Sequence, residues 1–177
     1  MEKEDRLQLV KLFVGMLSKE VSLFKELKRE LEGIFGLCDM EGPVWEWGYT
    51  DYYDSEMGKG LKRQFLFFQR LINPADIAGI KLKTRELEGR YLNERGGRRI
   101  NLDPGYLDRA RVVLVSTKDY SHRIYLGNNI YGEITLVYSK NHFYPLPYTY
   151  PDFRTEDYRN LFKQARDTLK SIHPQTL

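Results

Sequence analysis

Cysteine is almost missing from this chain. Cys38 is the single one in 177 residues, so a disulfide framework and a cysteine-based zinc site are both excluded. Histidine is scarce too: His122, His142 and His173 are the only three. None has the carboxylate spacing of a zinc site. The paired His-x-Ser/Thr motifs of two-histidine phosphoesterases also fail, because Ile124, Tyr144 and Gln175 stand two residues on. No apolar run approaches the roughly 18 residues that span a bilayer. The opening Met-Glu-Lys-Glu-Asp-Arg is too acidic and polar for a secretory signal. No membrane partner is therefore expected, and the cytoplasm is the expected location. Neither sign of charge dominates. A formal net charge of +3 is too small to imply nucleic acid on its own.

Phosphate-loop chemistry is absent as well. There is no Walker-type loop and no GxGxxG. Thr117-Lys118-Asp119 matches a guanine-reading NKxD element only in part, since Tyr120 stands where its Asp belongs. No serine sits in a nucleophile elbow. No motif calls for a cofactor. A cation held by oxygen ligands from Asp51, Asp54 and Glu56 stays open, but no diagnostic spacing points to it, and no metal is assigned.

What remains is a globular profile, with 41% hydrophobic and 30% charged residues. The length suits one domain over residues 1–177, long enough to remove roughly 70% of its unfolded surface from water. Val10 to Leu17 is apolar on both faces and predicts a central strand. Ser18 is placed to cap a helix whose stripe is Leu23, Phe24, Leu27, Leu31, Ile34 and Phe35, with Gly36 at its end. Val44 to Tyr49 and Arg63 to Gln69 read as strands. Asn73-Pro74-Ala75-Asp76 is a strong helix start, and that helix is expected to reach about Leu92. Asp103-Pro104-Gly105-Tyr106 has the composition of a type II turn. Strands follow at Val112 to Thr117, His122 to Leu126 and Ile130 to Tyr138. A proline-aromatic arm (Pro145 to Phe153) leads to a last helix, capped by Thr155 and stopped at Pro174.

The expected fold class is α+β: an antiparallel sheet with ferredoxin-like βαββαβ order, extended by a β-meander and a C-terminal helix. Helices in that arrangement cover one face of the sheet.

The stretch from Arg98 to Tyr138 alternates strand formers with Arg, Asn, Asp, Lys, His and Glu. Strands with one wet face usually carry plain solubilising residues there. Groups that bind or titrate point instead to a lined pocket. In the hairpin around Gly127-Asn128-Asn129, a three-residue loop pairs Leu126 with Ile130 and Ile124 with Gly132. The opposite face then pairs Tyr125 with Tyr131 and Arg123 with Glu133. By the same parity His122 points the other way, with Ile134. Arg99 and Asn101 share a face ahead of the turn, and Asp103 follows on it. Arg99 is the expected phosphate or carboxylate grip, because guanidinium donates two parallel hydrogen bonds. Lys118 would add charge, Arg123 would orient the ligand, and Glu133 and His122 are the candidate catalytic groups. Plainer readings stand beside these. Arg123 and Glu133 could be an exposed ion pair worth under about 1 kcal/mol, and His122 a hydrogen-bonded core residue.

The segments KLFVGMLS, TDYYDSEMG, NLDPGYL, TKDYSHRIYL and LPYTYPDFRT together resemble domain-of-unknown-function family 4416, over roughly residues 10–165. The resemblance implies that Asp51 to Gly58 and Thr117 to Leu126 belong to one recurring pattern. It implies no catalytic residue, cofactor or substrate.

Three functions are consistent with the sequence. The first is a site for a small anionic ligand, such as a nucleotide or phosphorylated metabolite, in which Arg99, Asn101, Asp103, Lys118 and Arg123 bind. The second is an RNA-binding module, suggested by the fold order, 14% aromatic residues and a pI near 8.8. The third is a structural subunit of an oligomer, built on Trp45, Trp47, Tyr49 and the 145–153 arm.

Overall fold

The computed structural model describes residues 8–172. His173 and Pro174, the expected helix stop, lie outside the described residues. Along the chain the elements are β1 (Val10–Ser18), α1 (Ser22–Phe35), β2 (Cys38–Glu41), β3 (Trp45–Trp47), α2 (Asp54–Met57), β4 (Leu61–Ile72), α3 (Ile77–Glu88), β5 (Asn101–Leu107), β6 (Arg111–Ser116), β7 (Ile124–Tyr125), β8 (Tyr131–Ser139), β9 (His142–Pro145) and α4 (Glu156–Ile172). The strands form a single antiparallel sheet in the order β2-β4-β1-β5-β6-β8-β7. In addition, β3 pairs with β4 and β9 with β8.

Both faces of this sheet are covered, not one. On one side Leu12, Val14 and Met16 of β1 and Leu66 and Phe68 of β4 pack with Leu27 and Leu31 of α1 and Ile80 and Leu87 of α3. Phe13, Phe65 and Phe67 point to the other side and meet Phe153, Leu161 and Phe162. Phe13 and Phe162 touch edge to face with centroids 4.8 Å apart. A strand that is apolar on both faces needs cover on both, and α4 supplies the second layer.

The helix starts follow local chemistry in one place and tertiary contacts in another. Asn73 Oδ1 accepts the Ala75 amide at 2.9 Å and leads through one 3₁₀ turn into α3, which ends at Glu88, short of the expected Leu92. Ser18 does not cap α1. Its hydroxyl donates to the Arg99 carbonyl at 2.8 Å and accepts the Glu20 amide, so the helix begins later, at Ser22.

Two further expectations are corrected. The predicted β6-β7-β8 meander is absent: β6 pairs directly with β8, and β7 lies on the far side of β8. Asp103-Pro104-Gly105-Tyr106 is not a turn but the middle of β5, in register with β1 from Lys11↔Leu107 to Leu17↔Asn101. Gly105 is needed for close approach. A Cβ there would lie 2.4 Å from the Phe13 ring and 2.4 Å from the Val113 carbonyl. Pro104 has no N–H to donate, and pairing of β5 with β6 starts only at Gly105↔Leu114. Before that point the two strands part.

Candidate functional site

The parting of β5 and β6 opens a cleft of about 490 Å³. Its origin can be read from the backbone of Leu102, where β5 has no β6 partner. The Leu102 amide donates to Glu88 Oε1 at 2.6 Å, and its carbonyl accepts from Lys81 Nζ at 2.9 Å. Two side chains of α3 thus take the place of a neighbouring strand, and so bring a cation and an acid to the cleft wall.

The floor holds a network around Asp103. Its Oδ2 accepts from Arg63 Nη1 at 3.0 Å and from Asn101 Nδ2 at 2.9 Å, and Lys81 Nζ lies 3.9 Å from Oδ1. Arg63 is buried, and its guanidinium lies over Gly15, where a Cβ would come within 2.8 Å of Nη1. Burial pushes the Asp103 carboxyl up, but the Arg63 and Lys81 charges and the two hydrogen bonds hold it below the ordinary carboxylate range. Glu88 shifts the other way: removal from water raises it, against the pull of Lys81, the Leu102 amide and Arg98. Two neighbouring acids are thereby driven apart, and proteins use such pairs for acid–base division of labour.

The outer wall comes from β8 and the segment before β7. The three-residue loop is as expected, with Gly127, Asn128 and Asn129 at positive φ and Ile124↔Gly132 and Tyr125↔Tyr131 in register. Arg123 and Glu133 do meet, with Nε donating to Oε2 at 2.9 Å. Far from being an exposed pair, each side chain is only 2% exposed. Arg123 also donates to the Lys118 carbonyl and to the Tyr150 hydroxyl, both at 2.8 Å. Desolvation works against its charge, yet the Glu133 and Tyr150 contacts raise its pKa further. His122 does not point the opposite way. Pairing stops at Ile124, and a turn closed by the Arg123 amide on the Tyr120 carbonyl swings the imidazole round. Nε2 then lies 2.6 Å from Glu133 Oε2, and the ring stacks on Tyr148 with centroids 4.1 Å apart. Glu133 Oε1 accepts from Thr135 at 3.2 Å. With Nε2 donating to the carboxylate, a neutral His122 presents Nδ1 as an acceptor.

Of the residues singled out by sequence, Asn101, Asp103, Lys118, Arg123 and Glu133 line this cleft, and His122 joins them through Glu133. Arg99 does not. Residue 99 sits in a bend before β5, and its guanidinium makes a two-point pair with Glu20 at 2.9 and 2.6 Å. It lines a separate, open hollow of about 720 Å³ beside α2. Arg98 faces the cleft in its place, bonded to Glu56 at 2.8 and 2.9 Å and to Asn101 at 2.8 Å. Both carboxylate oxygens of Glu56 are thereby engaged by Arg98. No group of three or more His, Cys, Asp or Glu able to hold a metal occurs among the described residues.

Sequence reasoning missed Arg63, Glu88 and Asp152, and Lys81 reads as part of a solvated helix face at least as well as a ligand contact. The first lies in a strand read as hydrophobic, and the helix residues look like a solvated face. Core packing is the commoner fate of an aromatic strand such as Val44 to Tyr49, with a partner surface as the alternative; in the fold Trp47 donates from Nε1 to Asp152 at 3.0 Å, and Trp45 stacks on Tyr158 at 4.9 Å. Tyr52 carries Lys118 Nζ over its ring at 3.7 Å. No helix among the described residues is long and apolar enough to cross a membrane.

A family model described as a domain of unknown function, DUF4416, matches residues 8–169. No curated protein and no solved structure gave a match.

Proposed function

We propose, from the premise that the chain belongs to the family DUF4416, that the cleft between β5 and β6 binds a small anionic ligand, a nucleotide or phosphorylated metabolite. One observation carries the reading. The lining holds six cations (Arg63, Lys81, Arg85, Arg98, Lys118, Arg123) against four acids (Glu88, Asp103, Glu133, Asp152). Among the described residues no carboxylate forms an ion pair with Lys118 or Arg85. Their charge is available to an incoming anion. Trp47, Tyr52, Tyr53 and Tyr120 add apolar wall, and the volume suits a metabolite-sized ligand.

In this reading Lys118 and Arg85 take the anion, and Arg123 is held in orientation by Glu133. Any proton transfer falls to the His122–Glu133 pair, whose carboxylate lines the cleft. Thermal-shift titration with nucleoside monophosphates and sugar phosphates tests the proposal. A concentration-dependent rise in Tm that is lost in Lys118→Ala supports it; no rise with any anion sinks it.

The RNA reading has less support. Phe65, Leu66, Phe67 and Phe68 of β4 are all buried, which leaves no aromatic platform on that strand for base stacking. Trp45 and Trp47 are likewise spent on internal contacts, which weakens the structural-subunit reading. The ferredoxin-like relation is also part of the proposal. Its support is that β4 and β1 are flanked by β2 and β5, with α1 and α3 on one face.

A further inference from the structure

Resting on the anion-binding reading above, we infer that the ligand is a hydroxyl- or amino-bearing phosphate ester, held at both ends: its anion by Lys118 and Arg85, and a donor group by the free carboxylate oxygen of Asp103.

Asp103 lines the cleft with its side chain 30% exposed. Both of its protein hydrogen bonds, from Arg63 and Asn101, go to Oδ2. Oδ1 accepts none among the described residues, and its nearest cation, Lys81 Nζ, stands 3.9 Å away and is already donating to the Leu102 carbonyl. An ionised oxygen with open lone pairs, fixed from behind by a buried guanidinium, is a preorganised acceptor. A bare anion would gain nothing from it and would be repelled by it. The acceptor is useful only to a ligand that brings an O–H or N–H to the cleft floor while its charge stays with Lys118 and Arg85. Asn101, whose Oδ1 is taken by Arg98 and Nδ2 by Asp103, keeps the carboxylate from turning. Sites that hydrogen-bond a ligand hydroxyl through a buried polar group discriminate strongly against analogues lacking it.

The test is calorimetric binding of the full chain to ribose 5-phosphate, the four nucleoside 5′-monophosphates, ethyl phosphate and inorganic phosphate. The hydroxyl-bearing esters should bind at least tenfold tighter than ethyl phosphate. In Asp103→Asn the two classes should move in opposite directions: the hydroxyl-bearing esters weaken about ten- to hundredfold, in line with loss of a charged hydrogen bond, while inorganic phosphate binds as well or better. Equal affinity for ribose 5-phosphate and ethyl phosphate on the unaltered protein overturns the inference and leaves the anion site standing. That comparison needs no variant, so it holds even if Asp103→Asn folds poorly. Failure of every phosphate to bind overturns the underlying anion-site reading as well.

Discussion

Along β1 and β4 each strand is paired on both sides, and most side chains are apolar on both faces, from Leu12 and Val14 to Phe65 and Phe67, with Lys11 a fully buried exception paired with Asp39. A few residues away, where β5 leaves β6 at Pro104, the same sheet is lined by Arg63, Lys81, Glu88, Asp103, Arg123 and Glu133. Lys11 apart, the closed region satisfies its backbone with backbone and fills its volume with hydrocarbon. The open region satisfies its backbone with side chains of α3, and each buried charge there has a partner of opposite sign. Charge can enter a two-faced sheet without ruining it provided every buried ion is paired, as Lys11 is with Asp39 inside the closed ladder and Arg63 with Asp103 at the cleft.

Substitutions in the two regions should therefore fail differently. Phe65→Ala, in the ring cluster with Phe153, Tyr158 and Phe162, is expected to cost about 3–5 kcal/mol in urea unfolding. A loss below about 1 kcal/mol would mean that the closed region is not tightly packed. Glu133→Gln should cost about 1.5–3 kcal/mol, since it strips the charge that faces Arg123 and His122. Adding Arg123→Met to Glu133→Gln should return part of that loss, and additive effects in the four-variant cycle would show the two side chains to be independent.

The pH response sharpens the contrast further. Asp103 has a depressed pKa in the fold, so its contribution is present above the unfolded-state value and is lost as pH falls through the folded one. Glu88 has a raised pKa, so its ionisation costs stability as pH rises from the ordinary carboxylate range through the folded value. Asp103→Asn should flatten the acid limb of a stability–pH profile, and Glu88→Gln should remove the opposing slope. A profile unchanged by both variants would place these acids in water. The smallest effect belongs to Lys118→Ala. Loss of the contact with Tyr52 should cost less than about 1 kcal/mol, while the phosphate-induced rise in Tm disappears.

Much of the closed region was legible from the sequence because local pattern and tertiary role agree there. Val10 to Leu17, Lys11 apart, and Phe65 to Phe68 carry apolar residues on both faces and are buried on both. Asn73-Pro74 starts a helix as its chemistry dictates. The 127–129 loop fixes the register that side-chain parity demands. Legibility fails where a distant contact overrides local preference. Pro104-Gly105 has the composition of a turn, yet Gly105 serves the Phe13 ring and Pro104 ends a ladder. Parity misassigned Arg99 because the bend before Asn101 shifts the face by one residue. It misassigned His122 because β7 is only two residues long and no ladder holds residue 122 in phase. Lys81 and Glu88 carried no local signal, since a helix face rich in Lys and Glu usually points to water.

The hydrogen bond between Trp47 and Asp152 joins segments 105 residues apart, one on the aromatic wall of the cleft and one on the arm that precedes α4. Trp47 is held by the pairing of β3 with β4, and Asp152 by the turn that runs into α4, so this bond docks two locally built pieces and the cavity is complete only once they meet. Whatever occupies it must then favour the native form over every partly folded one. At a hundred times its dissociation constant, such an occupant would add about 2.7 kcal/mol to the free energy of unfolding, making global denaturation a usable readout of its presence.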